Sequence, residues 1–77
     1  MHKFNIEITD TFGGEANYSW VTRHTINAKS FRGAANALAR RSGMQWHCVG
    51  NYGDMARYDS KSGATCAFIE YAEESNV

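Results

Sequence analysis

Seventy-seven residues are too few for two separate cores, so the chain is expected to form one domain over 1–77. Hydrophobic residues at 43% and charged residues at 21% exclude a chain disordered by composition. Eight Lys and Arg balance eight Asp and Glu, which removes bulk attraction to polyanions and anionic membranes but leaves room for a local patch.

The first segment, Phe4-Asn5-Ile6-Glu7-Ile8-Thr9, alternates apolar and polar residues, the period of a half-buried strand with Phe4, Ile6 and Ile8 inward. Residues 10–15 contain paired glycines and are expected to form a loop. Alternation resumes over 18–27, with Tyr18, Trp20, Thr22, His24 and Ile26 on one face of a second strand antiparallel to the first. Ser30 suits a helix N-cap, Gly43 suits the left-handed position after a helix, and alanine and arginine fill the stretch 31–41 between them. Steps of about 100° gather Phe31, Ala34, Ala35 and Leu38 on its inner face. Lys29, Arg32, Gly33, Asn36, Ala37 and Arg40 fall opposite. A third strand is expected over 44–49, a turn-rich loop over 50–54, and a closing hairpin from 55–59 and 64–71. Residues 72–77 are expected to fray. The fold class is α+β: an antiparallel sheet with one helix packed on one face, in the order β-β-α-β-β-β.

The longest apolar runs are a few residues, too short to cross a bilayer, and MHKFNIEITD lacks the apolar core of a secretory leader. A cytoplasmic protein is the expectation. Cys48 and Cys66 are too few for a disulfide scaffold and sit in apolar stretches, so both are expected to be reduced and buried. His47 and Cys48 are adjacent and point to opposite faces of a strand, so they cannot share an ion and no metal site is expected.

Catalysis needs a nucleophile, a base and a stabiliser in register. His24 and His47 are within strands and could approach each other, but no nucleophile elbow, metalloprotease helix or Cys-x-x-Cys motif surrounds either. Neither glycine-rich segment leads into a helix as a phosphate loop would. One helix on a small sheet also leaves little room for a pocket of about 300 Å³ or more. No enzyme, no catalytic residue and no cofactor are therefore expected.

Binding is the remaining class. Arg32, Asn36 and Arg40 are spaced four apart, form a row on the outer face of the helix, and could meet phosphate. Aromatic residues in or beside the strands could stack unpaired bases, although a small domain also needs large side chains for its core. Acidic residues gather elsewhere. Asp10 and Glu15 bracket the first loop, and Asp54 and Asp59 bracket the strand that holds Arg57. The resulting two-signed surface suits a protein partner. Phe12 and Tyr52 lie in expected loops among glycines, where a ring is hard to bury.

Two stretches, Asp10-Thr11-Phe12-Gly13-Gly14-Glu15-Ala16-Asn17-Tyr18-Ser19-Trp20-Val21 and Asn51-Tyr52-Gly53-Asp54-Met55-Ala56-Arg57-Tyr58-Asp59, resemble segments of small bacteriophage and prophage proteins, a resemblance that carries no activity with it. In size, loop acidity and layout the chain is also similar to anti-CRISPR proteins, without a shared motif. That likeness implies a stoichiometric inhibitor in a bacterial host cell. It would dock on a Cas surveillance complex and block DNA binding or nuclease recruitment. The expected partner contacts are Phe12, Glu15, Tyr52, Asp54 and Asp59, with Arg32, Asn36 and Arg40 as a second surface. The alternative is a small nucleic-acid-binding accessory protein that uses the basic helix face. A third reading is a homo-oligomer joined through edge strands.

Overall fold

A computed structural model describes residues 2–13 and 15–72. The element order is β1 (His2–Phe12), β2 (Glu15–Ala28), α1 (Phe31–Ser42), β3 (Trp46–Asn51), β4 (Met55–Ser60) and β5 (Thr65–Tyr71). The strands form one antiparallel sheet in the order β2-β1-β5-β4-β3, and the α+β class and β-β-α-β-β-β order read from the sequence are those of the structure. The first hairpin is longer than expected. Thr11 pairs with Ala16 and Phe12 with Glu15, so Phe12 and Glu15 end two strands rather than sit in a loop. β3 starts two residues later than expected and reaches Asn51. Of the expected frayed segment, Ala72 donates its N–H to the Lys3 carbonyl at 2.8 Å and so continues the pairing of β5 with β1. Residues 73–77 lie outside the described residues.

The helix forms where propensity and caps agree. Ser30 accepts the Gly33 N–H on its side chain at 3.1 Å. Gly43, at φ 72°, donates its own N–H back to the Ala39 carbonyl at 2.9 Å, a left-handed stop that a Cβ would disfavour. Arg40 and Arg41 lie in the last turn, where the helix dipole favours cations. Phe31, Ala34, Ala35 and Leu38 are buried, as the helical spacing requires. They meet Phe4, Ile6, Ile8, Ile26, Ala56, Ala67 and Ile69 from the sheet. Alanines on both layers let the helix lie close. At one end Phe4, Phe31 and Tyr71 form a ring cluster with centroids 5.0–5.3 Å apart. Ala37, placed on the outer face by spacing, packs in part against this core.

One cysteine departs from expectation. Cys66 is buried, whereas Cys48 is exposed. β3 is an edge strand, and the helix packs on β2, β5 and β4, so it does not close over Cys48. Both edge strands are irregular. Val49 is an extra residue between the Cys48–Tyr58 and Gly50–Arg57 pairs, and β2 carries a larger irregularity opposite Thr9 and Thr11. No helix among the described residues is long and apolar enough to cross a membrane.

Candidate functional site on the uncovered sheet face

Strand pairing dictates what the face away from the helix displays. Alternation turns Phe4, Ile6 and Ile8 toward the helix and leaves Asn5, Glu7 and Thr9 outward. Carrying the register across the sheet puts Arg23, Glu7, Phe68, Arg57 and Gly50 in one row over all five strands. Thr25, Asn5, Glu70 and Met55 form the next row on one side, and Val21, Thr9, Cys66, Asp59 and His47 the row on the other.

The central row is built from pairs. Arg23 meets Glu7 at 3.1 Å, an exposed contact that contributes little, at most about 1 kcal/mol. Arg57 holds Asp59 at 2.9 Å with both side chains about four-fifths covered, and its guanidinium lies over the Phe68 ring, 5.8 Å from the centroid. The Asp59 carboxylate raises the Arg57 pKa, which keeps that cation charged. Burial pushes the Cys66 thiol up, so this cysteine is an unreactive floor to the face. Tyr52 lies over Gly50: a Cβ built there would stand 2.6 Å from the Tyr52 Cζ, so only glycine lets the ring settle on the sheet.

Tyr18 is the unusual residue. Among the described residues it is the one non-glycine with a left-handed backbone, at φ 58°. The flanking residues are held by the Asp10 carboxylate. It accepts the Asn17 side-chain amide at 2.9 Å, the Ser19 N–H at 3.0 Å and the Ser19 hydroxyl. The bonds from Asn17 and Ser19 lower the Asp10 pKa from 3.8 to about 2. The left-handed turn breaks the strand alternation and lays the Tyr18 ring on Phe68, stacked at 6.4 Å and 10° between planes. Beside this pair runs a groove of about 430 Å³, lined by Asn5, Glu7, Tyr18, Thr25, Met55 and Glu70 among others. The expectation that so small a fold leaves little room for a pocket is thereby corrected: this groove lies on the sheet face without a helix, with Tyr18 as its wall.

The residues expected from sequence to make contacts do not form one surface. Phe12 and Glu15 sit at the tip of the β1–β2 hairpin, with Phe12 80% exposed. Tyr52 and Asp54 sit at the other end of the sheet, where β3 turns into β4. Asp59 is not a loop residue but a strand residue paired with Arg57. Arg32, Asn36 and Arg40 are on the helix, on the opposite side of the molecule from the groove. Sequence reasoning missed Tyr18, Phe68 and Asp10 as a unit. The available signal was Asp10 near Asn17 and Ser19, residue types that bond the backbone locally and flank a ring. His24 and His47 lie on the two edge strands with three strands between them, roughly 19 Å at the usual strand spacing. Among the described residues, no three His, Cys, Asp or Glu side chains converge on a site for a metal ion.

The class that fold and site define is therefore a small α+β domain with one helix-covered and one exposed, aromatic-lined sheet face. Among known proteins, no family model, curated sequence or solved structure matches the chain.

Proposed function

We propose that this chain is a non-enzymatic binding protein that occupies a protein partner through the uncovered face of its sheet. The observation that carries this reading is the Tyr18–Asp10 arrangement. A strained backbone residue is held by a dedicated carboxylate, and the result is an aromatic wall facing solvent beside a groove. The charge of the face favours protein over polyanion. Three cations, Lys3, Arg23 and Arg57, stand against three carboxylates, Glu7, Asp59 and Glu70, so the face carries no net positive charge to draw a polyanion, and both arginines are already paired. Exposed Glu70 lines the groove and has no cationic partner among the described residues. A partner segment that seats an apolar side chain on Tyr18 and Met55, and a basic one on Glu70, complements this surface.

Within that reading, the likeness to anti-CRISPR proteins names a specific case: a stoichiometric inhibitor in the bacterial cytoplasm, docked on a Cas surveillance complex. The test is inhibition of DNA binding by a purified surveillance complex, with wild type, Tyr18→Ala and Glu70→Lys compared at equal stoichiometry. Loss of inhibition in both variants, with folding intact, supports docking through this face. Full inhibition by both removes the face from the reading. Inhibition by sub-stoichiometric protein with turnover replaces binding by catalysis.

A second reading rests on the helix. Lys29, Arg32, Arg40 and Arg41 have no acidic partner among the described residues. A nucleic-acid accessory role through this face predicts a strongly salt-dependent gel shift that Arg32→Glu with Arg40→Glu abolishes.

A further inference from the structure

The helix does not reach across the sheet, and the space it leaves is a second cavity. On the helix side of β3 and β4, Trp46 pairs opposite Ser60 and Cys48 opposite Tyr58. Between these strands and α1 runs a cleft of about 380 Å³, within the range of small-molecule sites. Arg32, Ala35 and Asn36 form its helix wall, and Trp46, Cys48 and Tyr58 form its sheet wall. The Trp46 indole N–H donates to the Ser42 hydroxyl at 3.2 Å, which fixes the ring to the helix end and leaves it as an apolar wall. Arg32 has no acidic partner among the described residues, and the stretch from Lys29 to Arg41 contains no acid to provide one. Burial, then the neighbouring Cys48, raises the Tyr58 pKa, while the charge of Arg32 draws it down, so the guanidinium acts on the cleft interior. An aromatic wall, a planar cation and a carboxamide thus converge on one space. Arg40, the next cation along the row, lines a different and more open depression with Arg41.

We propose that this cleft binds a nucleotide unit: a flat heteroaromatic ring against Trp46, its phosphate on Arg32 and its polar edge on Asn36. Guanidinium donors match phosphate oxygens in pairs, and indole faces stack on bases. The site is independent of the uncovered sheet face and needs no protein partner. It also differs from a polynucleotide track along the whole helix, because it requires Arg32 and not Arg40.

Trp20→Phe leaves Trp46 as the sole indole, and the probe is adenosine monophosphate. Saturable change of Trp46 fluorescence is expected, with affinity reduced about tenfold or more by Arg32→Glu and less than about twofold by Arg40→Glu. Cys48 gives a second readout, because it is exposed while Cys66 is buried. Alkylation of Cys48 by iodoacetamide should slow several-fold with saturating nucleotide. Adenosine and inorganic phosphate alone should each bind more weakly than the intact nucleotide. A short deoxyadenosine oligomer separates the sources. Tighter binding than the mononucleotide, with the same Arg32 dependence and Cys48 protection, places the unit in a single strand, and equal or weaker binding places it free in solution. Absent fluorescence change, unprotected Cys48, or equal losses from Arg32→Glu and Arg40→Glu would each overturn the proposal.

Discussion

Asp10 makes its side-chain and backbone bonds as an ionised carboxylate, so its contribution to the Tyr18 conformation has a defined pH range. Its folded pKa is about 2 against an ordinary 3.8. A lowered carboxyl pKa stabilises the fold above the ordinary value, and that contribution disappears as pH falls through the folded one. Tyr18 ring shifts in NMR spectra should therefore stay constant from pH 7 to about 3 and then move through a transition centred near 2. Asp10→Asn should remove this titration, since a carboxamide does not ionise, and should loosen the turn, since it keeps one of the two acceptor oxygens. A Tyr18 transition centred near 4 in the wild type would contradict the assignment. Gly50 makes a separate residue-level prediction. Gly50→Ala should drive Tyr52 off the sheet and erase the ring-to-residue-50 cross-peaks. Because Tyr52 is already 62% exposed, global stability should change by only about 0.5 kcal/mol or less.

Within the secondary-structure elements, the helix offers the sharpest stability tests. Ser30→Ala should cost about 1 kcal/mol through loss of the cap to Gly33, and Gly43→Ala a similar amount through its left-handed backbone. Leu38→Ala opens a cavity at a fully buried position and should cost roughly 2–5 kcal/mol. Chemical denaturation measures all three. These same elements were readable from sequence because their signals are local: Ser30, Gly43, and the spacing of Phe31, Ala34, Ala35 and Leu38. The alternation of Phe4, Ile6 and Ile8 was equally legible. Strand order was not, because pairing β1 with β5 depends on contacts more than 50 residues apart along the chain. The exposure of Cys48 followed from strand order, so it was hidden for the same reason. Alternation puts Tyr18 on the face of Ile26 because it assumes a continuous strand. The left-handed backbone at Tyr18 is what voids that assumption. The candidate site was legible only in fragments, since Phe68 and Tyr18 are brought together by the sheet and not by the sequence.

At the scale of the molecule, charge is sorted by side. The ion pairs Arg23–Glu7 and Arg57–Asp59 lie on the uncovered sheet face, and the cations from Lys29 to Arg41 gather on the helix side without acidic partners among the described residues. Added salt should therefore weaken anything bound to the helix side more than anything bound beside Tyr18. Titrating sodium chloride against the two classes of complex measures the difference.

The extra residue Val49 on one edge strand, and the distorted stretch of β2 on the other, matter for how copies of the chain treat one another. A flat, regular border would template the next molecule, whereas an interrupted one spoils the continuous ladder that fibrils require. Sedimentation over a hundredfold range of concentration should report a single chain throughout. Deleting Val49 should straighten that border and shift the same preparation toward self-association and turbidity.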